Sequence, residues 1–251
     1  LRKLEPSILN KVENWNNLTR KSALNENFII HLEFKTGRSG NDILAFDSVI
    51  AHYTMLYVLQ SDYFNLSYDH DELVPITIPL FKVQFKDTFF YMCSYLFDLP
   101  EKSTYWTKRF EKRLLNSVNA KRVSVQQGDF KSYLMPTLYS DRKHYKIFGE
   151  GNIELLKKII PNPAHIGKKH SVGWGECTWE IEKQNGNSSF ALMRYDKLMR
   201  PLPVDYCKQK GWFPENDFIE MRPICPPYYG INSKPVNSYP AGTKLKPLAR
   251  A

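Results

Sequence analysis

The reading of this chain turns on Ile166-Gly167-Lys168-Lys169-His170-Ser171-Val172-Gly173-Trp174-Gly175. Three glycines sit among two lysines, a histidine and a tryptophan. Ahead of them, Asn152 is placed to cap a helix running through Ile160, with Ile153, Leu155, Leu156 and Ile159 at helical spacing. Pro161-Asn162-Pro163 stops it. Behind them, Glu176–Glu182 alternates as a strand, with Cys177, Trp179 and Ile181 on one face. Glycine lacks a Cβ, so backbone at these positions can take positive φ and approach a ligand closely, and successive N–H groups can form an anion-binding nest. Lys168 and Lys169 add charge suited to phosphate, and Trp174 offers a stacking face. The expectation is a loop that grips a nucleic-acid backbone; a plain helix-to-strand turn with solvated lysines is the bland alternative. A Walker loop is excluded, because no Gly-x4-Gly-Lys-Ser/Thr run occurs. A dinucleotide fingerprint runs from strand to helix, and here the order is reversed.

The 251 residues suffice for one large domain or two small ones, and 42% hydrophobic residues are enough to bury a core. Net charge is +9, which favours an acidic partner. The excess is local: residues 101–172 hold 15 Lys or Arg against 6 Asp or Glu, and the remaining residues hold 20 of each. That basic stretch is also rich in aromatics, the combination that phosphate pairing and base stacking need. The four cysteines (Cys93, Cys177, Cys207 and Cys225) have no C-x2-C spacing and no nearby histidine pair, so free thiols are expected and neither metal nor cofactor is implied. Asp69-His70-Asp71-Glu72 reads as a solvated acidic turn. No signal peptide and no apolar run of membrane-spanning length is visible, so a cytoplasmic location without membrane contact is expected.

Along the chain, Leu4, Ile8, Val12 and Trp15 predict an N-terminal helical arm over residues 1–26. Phe28, Ile30, Leu32 and Phe34 predict a half-buried strand. A turn-rich loop at 35–41 leads to Asp42, which can cap an apolar helix over about 43–60 that carries Asp47 and His52. Residues 76–81 and 88–95 predict a hairpin reversing near Lys86-Asp87. The basic segment 100–140 reads as an inserted ribbon, helical before Asn119, and Lys146–Gly149 as a short strand. Residues 27–195 form the predicted main domain, and the proline-rich 196–251 an extended tail packing on it. The fold class is therefore α+β, and the element order approximates a ferredoxin-like (RRM-like) β-α-β-β-α-β arrangement with additions.

With a helix, a basic Gly-x-Gly loop and a last strand in that order, the chain resembles the RAMP superfamily of CRISPR-associated proteins. More specifically, it resembles the type IV RAMP subunit that caps the 5′ handle of the CRISPR RNA. The matching stretches are Asn41–Ala51, Ile78-Pro79-Leu80, Lys108-Arg109-Phe110, Gly128–Pro136, His165–Gly175 and Met199-Arg200-Pro201-Leu202-Pro203, across about residues 28–205. The arm at 1–26 is longer than that pattern, and the loop is compact. The resemblance implies a non-catalytic RNA-binding subunit that works beside RAMP backbone subunits and a large subunit, in antiviral and anti-plasmid defence, with the inserted ribbon as a thumb. Contact with target DNA near the protospacer-adjacent motif is left open. The implied RNA-binding set is Gly167, Lys168, Lys169, His170, Ser171, Gly173, Trp174 and Gly175 in the loop, with Lys108, Arg109, Arg113, Lys131, Tyr133 and Arg200 outside it. The competing reading is a metal-independent endoribonuclease that cleaves the CRISPR repeat. It needs a base, an acid and a cation at the phosphate. Among His31, His52, His165 and His170, the catalytic candidates are His170 and His52, with Tyr53 and Lys131 as helpers.

Overall fold

The computed structural model describes residues 5–22, 25–40, 43–66, 76–98, 102–108, 126, 132–168, 173–185, 188–226, 228 and 234–246. Within them the chain is a mixed α+β protein with four α-helices and several small antiparallel sheets. Helix α1 (Pro6–Lys21) starts on a proline whose missing N–H costs nothing at that position and buries Ile8, Val12 and Trp15. Strand β1 (Glu26–Phe34) leads through the short β2 (Arg38–Ser39) and β3 (Ile43–Leu44) into α2 (Phe46–Leu59). A hairpin of β4 (Lys82–Phe85) and β5 (Thr88–Tyr91) follows, then β6 (Leu96–Phe97), β7 (Lys102–Lys108), β8 (Tyr133–Ser140) and β9 (His144–Gly151). Helix α3 (Ile153–Ile159), β10 (Ala164–His165) and β11 (Glu176–Gln184) complete the first part. Beyond it come β12 (Met193–Arg194), β13 (Lys197–Leu198), β14 (Leu202–Pro203), α4 (Val204–Gln209), β15 (Glu220–Arg222) and β16 (Val236–Tyr239).

The main sheet has the order β10-β11-β1-β9, every pair antiparallel, with β1 central: Ile30 lies opposite both Ile181 and Ile147. Phe28, Ile30, Leu32 and Phe34 bury one face of β1 against α2 and α3, through Ile50, Tyr53, Leu155, Leu156 and Ile159. Each such large apolar side chain contributes about 1.5–3 kcal/mol of burial free energy. Asn152 caps α3 as expected, its side chain accepting from the Leu155 N–H at 2.9 Å. Both helices thus lie on one face of the sheet. Helix α1 packs on α2 through Ile8, Val12 and Leu59, and the Trp15 indole donates to the Thr77 carbonyl at 2.7 Å.

Three sequence expectations shift. The 43–60 helix begins only at Phe46, because Ile43-Leu44 pairs with Leu96-Phe97; Asp42 lies outside the described residues. The hairpin reverses at Lys86-Asp87, but its strands are β4 and β5 rather than 76–81 and 88–95. Ile78 and Leu80 are buried ahead of it, and the backbone there turns to the edge of β9. The Phe81 N–H donates to the Glu150 carbonyl at 2.8 Å, and the Asn152 N–H to the Pro79 carbonyl at 3.1 Å. Residues 76–81 and β4 follow one another directly, yet the first bonds the edge of β9 and the second bonds β5.

The third shift is the C-terminal stretch. Instead of an extended tail it builds helix α4, a β14-β16-β15 sheet and a second hydrophobic cluster centred on Leu198, Leu202, Cys207 and Trp212. That cluster takes in Ile29, Phe90 and Phe148, so it covers one end of the sheet face opposite the helices. The order of residues in β1 reflects this. Phe28-Ile29-Ile30 is apolar on both faces where the sheet is covered twice, and His31-Leu32-Glu33-Phe34 alternates where it is covered once. The expected boundary at 195/196 falls inside the β12–β13 turn. The inserted ribbon is present at its base, where β7 pairs with β8 from Lys102 opposite Tyr139 to Lys108 opposite Tyr133. The helix expected before Asn119 lies outside the described residues. Among the described cysteines all four thiols are free.

Candidate nucleic-acid interface

The loop after β1 and the glycine loop are stitched together backbone to backbone. The Lys35 N–H donates to the Glu176 carbonyl at 2.9 Å, Gly175 to Gly37 at 3.1 Å, Lys168 to Ser39 at 2.8 Å, and Ile166 to Gly175 at 2.9 Å. The glycines are needed for this stitching. A Cβ on Gly175 (φ +78°) would stand 2.2 Å from the Ile166 carbonyl oxygen, and one on Gly167 (φ +110°) 2.7 Å from that of Ser39. The N–H groups of Lys168 and Gly175 are therefore donated within the protein and add nothing to an anion-binding nest, and residues 169–172 between them lie outside the described residues. Gly173 differs: it has φ +86°, is exposed and has open space around it.

Strand β2 joins this loop to the ribbon. Arg38 and Ser39 pair with Ser140 and Tyr139 of β8, and Ser39 bridges on its other side to Lys168. One antiparallel path therefore runs from β7 through β8 and β2 to the exposed Lys168. Trp174 is half-buried and meets the Tyr139 ring edge-to-face, centroids 5.0 Å apart. The buried Arg38 anchors the path, donating from Nε and Nη2 to one Asp98 carboxylate oxygen at 3.1 and 2.8 Å. The sequence reading missed that pair. Its only signal was two oppositely charged residues sixty positions apart.

Between this path and α2 lies a groove of about 250 Å³, lined by Gly40, Ser48, His52, Tyr53, His165 and Lys168 among others. The Tyr53 hydroxyl donates to the His165 carbonyl and accepts from its N–H, both at 2.9 Å. Burial pushes that hydroxyl above the ordinary phenol range, so it stays a proton donor. His52 Nδ1 and the Tyr63 hydroxyl are 2.9 Å apart. Thus two histidines, a tyrosine and a lysine share one groove beside the glycine loop.

The remaining predicted residues divide clearly. Lys108 and Tyr133 face each other in register at the outer end of the described ribbon; their side chains lie outside the description. Lys169, His170, Ser171, Arg109, Arg113 and Lys131 lie outside the described residues, as do Asp69-His70-Asp71-Glu72. The expectation for Arg200 is corrected. It is 0% exposed, with Nη1 3.1 Å from Asp47, also 0% exposed, and donates to the carbonyls of Tyr91, Cys93 and Ile224. It ties the C-terminal cluster to the first turn of α2 and is not presented to a ligand. Cationic type alone does not separate such a residue from a surface one.

The chain matches no protein-family model, and no curated protein matches it. The functional reading therefore stands on its own residues. Among the described residues no group of three or more His, Cys, Asp or Glu is arranged to hold a metal ion, and no helix is long and apolar enough to cross a membrane.

Proposed function

We propose that the chain is a non-catalytic RNA-binding subunit of the type IV RAMP kind, holding the 5′ handle of a CRISPR RNA with its glycine loop and basic ribbon. The observation that carries this reading is the continuous path from β7 through β8 and β2 to Lys168. By backbone pairing it joins the base of the ribbon to the start of the glycine loop. The strand order supports the ferredoxin-like assignment. β11, β1 and β9 are antiparallel neighbours, the 79–81 backbone bonds the outer edge of β9, and α2 and α3 share one face. In this reading the guide reads the DNA by base pairing, and the protein reads backbone shape beside RAMP backbone subunits and a large subunit.

One observation favours the second reading, a metal-independent endoribonuclease: His52, His165, Tyr53 and Lys168 line the same groove. Imidazoles titrate near neutrality and suit both proton-transfer roles. A single experiment separates the two. Purified protein and end-labelled repeat RNA, without metal, are run on native and denaturing gels beside Lys168→Ala/Lys169→Ala and His52→Ala. A shifted, uncut RNA whose shift is lost in the lysine variant is the expected result. A discrete cut that His52→Ala abolishes transfers the assignment to the nuclease. No shift from the wild-type chain removes the RNA-binding proposal.

A further inference from the structure

The helix-free face of the main sheet carries a second groove, of about 720 Å³, where the C-terminal cluster does not cover it. Its walls differ in chemistry. One wall is the turn from β8 into β9, Asp141-Arg142-Lys143-His144-Tyr145-Lys146, in which four of six residues are Arg, Lys or His. Arg142, His144 and Lys146 are exposed and line the groove, and the Arg142 guanidinium lies 5.1 Å from the Tyr145 ring centroid. Tyr195, 82% exposed, also lines the groove. Arg194 fixes that ring: its guanidinium lies 4.0 Å over Phe148 and donates to the Tyr195 hydroxyl at 3.3 Å. In register between Lys146 and His144 of β9 and Glu180 and Thr178 of β11, the central strand presents His31 and Glu33, and His31 Nε2 lies 2.9 Å from Glu182.

We infer that this groove binds unpaired nucleotides of a single-stranded RNA, with the phosphates along Arg142 and Lys146 and a base on Tyr195. The inference goes beyond the glycine loop and rests on the RNA-binding reading for its ligand class. Three observations select that ligand. Carboxylates in the middle repel a phosphate run, so the backbone must keep to the cationic wall and turn its bases inward. There Glu33 and Glu180 can accept hydrogen bonds from base amino groups. An 82% exposed tyrosine offers a π-face that every base can stack on, which a duplex with its bases already stacked cannot use. The cationic turn is also bonded to the start of the loop that carries the first surface: the Phe34 N–H, at the entry to the Lys35–Gly40 loop, donates to the Lys143 carbonyl at 2.8 Å.

The test is a fluorescence-anisotropy titration of the full chain with a labelled single-stranded RNA and with its hairpin-paired counterpart. It compares Tyr195→Ala, Arg142→Ala/Lys146→Ala and Lys168→Ala/Lys169→Ala, with thermal unfolding as the folding control. Loss of a base stack weakens binding about tenfold, and that loss is expected for Tyr195→Ala on the single strand only. The Arg142/Lys146 variant is expected to weaken binding and flatten its salt dependence. If both groove variants bind like wild type while the Lys168/Lys169 variant does not, the groove inference is overturned and the loop reading stands. Loss confined to the groove variants keeps the groove and overturns the loop. Absence of binding by the wild-type chain overturns both.

Discussion

Arg200 directs its guanidinium inward, to Asp47 and to the carbonyls of Tyr91, Cys93 and Ile224, and the Tyr228 hydroxyl donates to the same Asp47 carboxylate at 2.6 Å. Burial pushes the Asp47 carboxyl above its usual range, while Arg200, Tyr228 and the Ser48 N–H pull it back. Removing one partner of a buried pair leaves the other uncompensated. Arg200→Met should therefore destabilise the protein by about 3–5 kcal/mol. The sign of its pH dependence follows. With Arg200 gone, only the Tyr228 hydroxyl and the Ser48 N–H oppose burial at Asp47, so its already raised folded-state pKa rises further. The variant is then most stable below the ordinary carboxylate pKa of about 4 and loses stability as pH rises through the raised value. Urea unfolding across pH measures this, and a variant with the wild-type midpoint would contradict the assigned role. At this scale the sequence was legible for apolar residues, because Phe28, Ile30, Leu32 and Phe34 declare their face by period alone. Charged residues were not, because Arg200 and Arg38 have the same formula as any surface arginine and only long-range partners bury them.

The elements read well wherever one face is apolar and one polar, as in α1, α3 and β11. They read poorly where pairing is exchanged along a continuous pattern, as between 76–81 and β4, or where a short pair such as β3–β6 precedes a helix. The glycine loop is the informative case. Its position between helix and strand was readable, but the use of its glycines was not, since that depends on the loop after β1 lying against it. Backbone contact makes a differential prediction. Gly175→Ala and Gly173→Ala both strain a positive φ, at about 1–2 kcal/mol each, but only the first drives a Cβ to 2.2 Å from the Ile166 carbonyl oxygen. Gly175→Ala should lower the unfolding midpoint clearly more than Gly173→Ala. Equal losses would mean that the close pairing of Ile166 with Gly175, which closes the glycine loop, contributes nothing to stability.

Over the whole molecule, the local charge excess of residues 101–172 was readable and the surface it forms was not. Charge counting along the chain located the stretch, but joining Lys168 to the ribbon required the β8–β2 pairing. Of the Arg142–Lys146 wall, inside the same stretch, only Lys146 falls in an element predicted from the sequence, the short strand Lys146–Gly149. The second core was invisible for a related reason. Nine prolines between residues 196 and 251 suggested extension, although Leu198, Leu202, Tyr206, Cys207 and Trp212 supply enough apolar surface to close a cluster once Ile29 and Phe148 face it. The claim that matters most is that the glycine-loop lysines neutralise RNA phosphates. Its most direct test is the salt dependence of RNA affinity for the wild-type chain and for Lys168→Ala/Lys169→Ala. Each phosphate contact on a single strand contributes about 0.7 to the slope of log K against log salt. The slope is expected to be shallower by about 1.4 in the double variant, whereas parallel lines for the two proteins would show that these lysines neutralise no phosphate.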